Sequence, residues 1–164
     1  MTINALVVYE SMWGNTERIA EAVARGLGVA PVTRVGGTPL PDLSRVDLLV
    51  LGGPTHAFSM TRASTRASAH AQGATQGDEA HGIRELLADL PADLPVQVAT
   101  FDTRVAKVRH LPGSAAKAAA KELRRHHSKV MARVSFYVED SAGPLLPGEL
   151  DRAEAWGTTL ARAA

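Results

Sequence analysis

The chain contains no cysteine. Disulfides, thiolate metal sites and thiol nucleophiles are therefore excluded, and a secreted disulfide scaffold with them. No apolar run approaches the ~20 residues that span a bilayer. Residues Met1 to Asn4 carry no basic segment, and the apolar run Ala5 to Val8 is too short for the core of a signal peptide. A cytoplasmic protein without a membrane partner is the expectation. The Gly-Lys-Ser/Thr ending of a Walker A loop is missing, as are the further glycines of a GxGxxG turn, HExxH or comparable metal spacing, and paired carboxylates suited to glycoside hydrolysis.

The 164 residues are 45% hydrophobic and 21% charged, which predicts one globular domain over 1–164, long enough to bury a core without staples. The net charge of +1 hides a polarised distribution. Between Thr103 and Arg133 stand nine Lys or Arg residues against the single acid Glu122, a net +8. The run lacks interleaved aromatics and is spread over a loop, a helix and a strand, so a solvated helix face is expected rather than a nucleic-acid site. His126-His127, beside Arg124 and Arg125, reads as favourable charge at a helix C-terminus. Trp156 and Tyr137 read as core residues.

Apolar runs alternate with helical patterns. Strands are predicted at Ile3–Tyr9, Val32–Val35, Val46–Leu51, Val96–Phe101 and Val130–Val138. Helices are predicted at Asn15–Gly28, with Ile19, Ala20, Val23, Ala24 and Leu27 on one face and Gly28 as a left-handed C-cap, and at Gly82–Leu90, Ser114–His127 and Gly148–Ala161. Pro39–Arg45 has room for a short helix only, and Gly52-Gly53-Pro54 is expected to stop the third strand. Arg62–Gln72 is weakly amphipathic within the Ala-, Ser-, Thr- and Gly-rich stretch from Thr61 to Gly82. Five apolar strands joined by helices predict a doubly wound, five-stranded parallel sheet in a three-layer α/β/α arrangement. Such sheets bind ligands outside the carboxyl ends of their strands, near the topological switch point. Three loops leave those ends: 10–15, 52–61 and 102–113.

The first loop is the most specific. Ser11, Gly14 and Thr16 lie between a buried strand and a helix start. A helix N-terminus offers unpaired N–H groups and partial positive charge, hydroxyls add donors, and glycine lets the backbone approach an anion. The result is a phosphate cradle that needs no lysine.

Val7, Val8, Tyr9, Ser11, Gly14, Thr16, Ala20 and Val23 fill every slot of a pattern that resembles the flavodoxin signature. The resemblance implies a flavodoxin-like fold with bound FMN, whose phosphate is held by Ser11, Met12, Trp13, Gly14, Asn15 and Thr16. Trp13 stands where many flavodoxins have a hydroxyl, so it is expected to contribute its backbone N–H. The loop that begins Gly52-Gly53-Pro54-Thr55 is similar to the family's segment beside the isoalloxazine ring. There Pro54, Thr55, His56 and Phe58 are candidate ring neighbours, and Met60 is either a ring neighbour or a loop anchor. His56 is expected as a ring neighbour more than as a proton donor. In the third loop the family often supplies a tyrosine, which is absent. Phe101, Asp102, Thr103 and Arg104 are the candidates, with Phe101 also a natural core residue and the polar three facing the pyrimidine edge.

The implied function is FMN-dependent electron transfer. A small NAD(P)H-dependent quinone reductase and a flavodoxin-fold binding module without flavin stand as alternatives. The basic stretch points to an acidic redox partner or a small anionic, quinone-like acceptor. Arg104, Lys107 and Arg109 are expected near the ring. Monomer and homodimer are both open.

Overall fold

Three strands buried on both faces sit at the centre of the molecule, a pattern that only a sheet covered by helices on both sides satisfies. In the computed structural model, which describes residues 2–28, 30–37 and 39–164, these are β1 (Ala5–Tyr9), β3 (Leu48–His56) and β5 (Gln97–Val105). β2 (Val32–Arg34) and β6 (Lys129–Val138) are the edges, and the parallel order is β2-β1-β3-β5-β6. The register aligns Val7 with Val50 and Leu51 with Thr100. The chain leaves β1 in one direction to reach β2 and in the other to reach β3. The switch point therefore lies between β1 and β3. A five-stranded parallel sheet with helices on both faces is thus observed, as expected for a flavodoxin-like architecture.

Alternation along each strand divides the core in two. Val7, Val50, Ala99, Phe101 and Phe136 pack toward α1 (Asn15–Gly26) and α5 (Glu149–Ala163). Leu6, Val8, Leu49, Leu51 and Val98 face α3 (Ile83–Asp89) and α4 (Ala115–Arg125). α1 and α5 meet closely because each presents a glycine. A Cβ at Gly26 would stand 2.0 Å from the Glu154 carbonyl oxygen, and one at Gly157 2.3 Å from that of Val23. α1 ends where Gly28 turns left-handed at φ +87°, as the C-cap reading anticipates. Ser114 caps α4, its hydroxyl accepting from the Lys117 amide at 3.2 Å.

Several boundaries differ from the sequence reading. Gly52-Gly53-Pro54 does not stop the third strand, which continues to His56, turns through Ala57 and Phe58 and returns as a two-residue antiparallel β4 (Ser59–Met60). Gly52 is there for packing: a Cβ would lie 2.1 Å from the Phe101 ring. Pro54 is tolerated because β3 is near its end. β5 likewise runs past Phe101 to Val105, so Asp102, Thr103 and Arg104 are strand residues that pair with Ser135, Phe136 and Tyr137. Between 39 and 45 only a 3-10 turn forms, Leu43–Arg45, with Asp42 accepting from the Ser44 amide. The Thr61–Gly82 stretch contains α2 (Ala63–Ala71), which stops before Gly73 at φ +106°. Among the described residues no helix is long and apolar enough to cross a membrane.

Candidate functional site

At the carboxyl end of β1 the chain turns sharply into α1. Gly14, at φ +94°, is the N-cap residue, a left-handed position that glycine occupies at no steric cost. No side chain caps the helix. Its first-turn N–H groups are left free for an anion, and Glu17 is the acid in that turn. The Ser11 hydroxyl accepts from the Gly14 amide at 3.0 Å and keeps its own proton to donate. Thr16 is buried, and its hydroxyl lies 2.8 Å from that of Thr103 on β5. Asn15 reaches the β6–α5 loop through the Ala142 carbonyl. Tyr9 donates to Glu17 at 2.6 Å, and burial, then this bond, pushes the phenol well above its ordinary pKa.

Beside this loop opens a cavity of about 310 Å3, continuous with a smaller recess of about 60 Å3. The two share Trp13, Thr55, His56, Arg104, Val105 and Ser141 on their walls. Met12, Asn15, Thr16, Pro54 and Thr103 line the recess, which connects the cavity to the start of α1. Phe58 and Ala57 form the hairpin side of the larger chamber. Phe58 is 43% exposed, an apolar ring at the rim rather than a core anchor. Ala57 and Phe58 adopt positive φ, +48° and +61°, as in a two-residue hairpin turn. His56 is held neutral: burial first, then the nearby Arg66 charge, lowers its pKa.

Met12, Trp13, Asn15, Thr16, Pro54, Thr55, His56, Phe58, Thr103 and Arg104 line the two chambers, whereas Ser11 and Gly14 stand in the adjoining turn and line neither. Phe101 also lines neither. Its side chain is buried on the α1/α5 face, edge-on to Phe136 and Trp156 at 6.2 Å each, because residue 101 points away from the cavity. Asp102 is also absent from the wall. It is fully buried toward α4, where it accepts from the Ala116 amide at 3.0 Å, and burial raises its pKa. Thr55 touches the cavity, but its hydroxyl accepts from the Ala115 amide. Met60 is buried in the core. Lys107 and Arg109 are exposed and off the cavity wall, leaving Arg104 as the basic residue there. Tyr137, expected in the core, is half-buried on a different pocket.

Trp13 has a larger role than expected. Its side chain lines both chambers, so it supplies an aromatic wall that the third loop lacks. Part of the wall comes from α2 through Thr65, Ser68 and Ala69, and from its C-cap Gln72. Their spacing of three, one and three residues puts them on one helix face. That stripe of small and polar residues was the available signal in the Thr61–Gly82 stretch. Ser141 and Val108 carried none.

Beneath the cavity is a buried polar network that the sequence did not reveal. Glu10 is 2% exposed and accepts from the Thr61 hydroxyl at 2.7 Å and from the Ile83 amide at 2.8 Å. Arg66, fully buried, donates to Thr61 at 3.0 Å and to Glu85 at 2.7 Å. Burial raises the Glu10 pKa, against the lowering effect of these partners. The network anchors α2 and α3 to the end of β1, next to the loop that leads into α1.

No protein-family profile matches the sequence, and no curated protein does. Solved structures do resemble it in fold. A flavodoxin from the domain Archaea has a TM-score of 0.63 at 20% identity, covering 97% of this chain and 96% of its own. Oxidised flavodoxin 2 from Bacillus cereus has a TM-score of 0.64 at 16% identity, over 98% and 99%. A Lactobacillus acidophilus flavoprotein, solved in complex with FMN, has a TM-score of 0.53 at 15% identity, over 81% and 93%. The fold is flavodoxin-like.

Proposed function

We propose that this chain binds FMN without a covalent bond and serves in electron transfer. The observation that carries this reading is the junction of an uncapped α1 N-terminus with a cavity whose walls bear Trp13, His56 and Phe58. Such an N-terminus suits a phosphate. Flat apolar walls with a few polar groups suit a planar ring. The residues present fit the group. Ser11, Gly14, Asn15 and Thr16 would hold the phosphate, Trp13, His56 and Phe58 would face the ring, and Thr103 and Arg104 would offer polar contact along its edge. Bound flavin supplies one- and two-electron chemistry, while the protein supplies position and electrostatics. His56, being neutral, offers a hydrogen bond without adding charge.

Reconstitution tests the reading. The purified protein is expected to be yellow, or to become so with one equivalent of FMN, and to bind riboflavin far more weakly. A colourless protein that FMN leaves unchanged would favour a binding module on the same fold. A second reading is a small NAD(P)H-dependent quinone reductase, which the Arg104 charge on the cavity wall favours through its attraction for an anionic substrate. Flavin-dependent NADPH oxidation that requires an added quinone would select it. For the carrier, the basic surface favours an acidic redox partner.

A further inference from the structure

On the far side of Arg104 lies another pocket, of about 420 Å3, between the start of α4 and the edge strand β6. Arg104, Lys117, Arg133, Ser114, Ser135 and Tyr137 line it. Three cations thus converge from three elements. Among the described residues, no carboxylate lies within 4.0 Å of Arg104, Lys117 or Arg133, since none of them joins an ion pair. A fourth cation on the wall, Arg152, differs: Glu149 holds it at 2.7 Å.

The charge comes from side chains and not from the helix end. The first amides of α4 are already taken: Ala115 by Thr55, Ala116 by Asp102 and Lys117 by Ser114. Asp102 is the nearby buried acid: one oxygen accepts from that amide, the other is buried without a partner, and it attracts Arg104 from beyond ion-pair distance. Arg104 is built in. It is 9% exposed, its Nη2 donates to the Val108 and Leu111 carbonyls, and its Nε is buried without a partner. A nearly buried guanidinium with no carboxylate within ion-pair distance is incompletely compensated, and the unpaired charges of Lys117 and Arg133 on the same wall leave the pocket positive.

We infer that this pocket is a second binding site, specific for a phosphate-type anion, with Arg104 as its fixed floor and Lys117, Arg133 and the Tyr137 hydroxyl closing around the oxygens. The volume lies in the range of small-molecule sites, about 300–1,000 Å3, so the phosphate is carried on a small molecule more readily than on a flat protein surface. The site is separate from the α1 cradle, although Arg104 borders both it and the flavin cavity.

Calorimetric titration of the full chain with inorganic phosphate at low ionic strength tests it. Lys117→Gln and Arg133→Gln are each expected to weaken binding roughly 2- to 5-fold, the range for exposed charge pairs. The double variant Ser11→Ala, Thr16→Val is expected to leave this binding in place, and so is the charge control Lys121→Gln, Arg124→Gln on the exposed face of α4. Both glutamine variants alter exposed side chains, so unchanged circular dichroism confirms their fold. Adenosine monophosphate in a parallel titration identifies the source: tighter binding than inorganic phosphate assigns a phosphorylated small molecule, and equal binding assigns the free ion. Binding lost in the Ser11/Thr16 variant would overturn the proposal. So would equal weakening in the charge control, or no binding at all.

Discussion

Thr16 and Thr103 place their hydroxyl oxygens 2.8 Å apart in a buried contact across 87 residues of sequence. Each hydroxyl has one proton. If Thr103 donates to Thr16, the Thr16 proton is free for a phosphate. Ser11→Ala and Thr16→Val are each expected to weaken FMN by about 1.5–3 kcal/mol, the range for hydrogen bonds to charged groups, and to leave riboflavin nearly unaffected. Thr103→Val should cost less than Thr16→Val, and the double variant should cost less than the two losses added, because the two hydroxyls act through one chain of bonds. Fluorescence titration of the parent and the four variants with both flavins measures this. Equal losses for FMN and riboflavin would remove the phosphate from the explanation.

Arg104 is the basic side chain on the cavity wall, while Lys107 and Arg109 are exposed beyond it. A unit charge about 8 Å from an anionic reduced flavin, at an effective dielectric of about 40, stabilises it by about 1 kcal/mol. For one electron that is about 45 mV. Arg104→Gln should therefore lower the second-electron potential by tens of millivolts, and Lys107→Gln should change it little. Potentiometry at low salt decides the matter, and an upward shift in Arg104→Gln would reverse the assignment.

Electron exchange with an acidic partner protein is expected to slow as salt is raised, because charges beyond ~8 Å are screened at physiological ionic strength. Stopped-flow rates from roughly 10 mM to roughly 1 M salt, over which the Debye length falls from about 30 Å to about 3 Å, supply the slope. A flat or rising profile would leave the basic surface without a role in docking.

Glu10 has a folded-state pKa above its ordinary value, so from that ordinary value up to the raised one the native state binds more protons than the unfolded chain. Its contribution to stability accordingly falls as pH rises through this window. Glu10→Gln abolishes the titration. The variant's stability relative to the parent should increase as pH climbs from about 4.5 through the raised pKa. Urea midpoints at several pH values would show it, and a constant difference would argue against a raised Glu10.

Gly77 stands at φ +87°, and a Cβ there would meet the Met12 sulfur at 2.4 Å and the Ser11 carbonyl oxygen at 3.1 Å. Gly77→Ala adds conformational strain of about 1–2 kcal/mol as well. It is expected to lower thermal stability and weaken FMN together, with Ala74→Gly, in the same stretch, as the milder comparison. Retention of full FMN affinity would separate this segment from the cradle.

The strands and the first loop were legible because their signals are local. Val7 and Val8 are apolar on both faces, and Ser11, Gly14 and Thr16 fall between a strand and a helix. Strand ends were less so. Nothing in Gly52-Gly53-Pro54 announces that β3 continues, because Gly52 answers to the Phe101 ring from a neighbouring strand. Phe101 and Asp102 are candidates only if the strand ends at Phe101. Once β5 extends to Val105, alternation alone sends Phe101 to one core and Asp102 to the other. The Glu10–Arg66 network was illegible for another reason: its members stand 56 positions apart in sequence, and only the fold makes them neighbours.

The distance in sequence between Thr16 and Thr103 also has a kinetic side. The cradle forms from the first 16 residues, but the recess wall it shares waits for β5 to pair with β3, and parallel pairing carries the entropy of closing a long loop. A ligand held by both walls would therefore recognise only a chain whose central sheet is complete. Flavin at a hundred times its dissociation constant would add about 2.7 kcal/mol to the native state while giving the unfolded chain nothing. It would accordingly slow unfolding far more than it speeds folding.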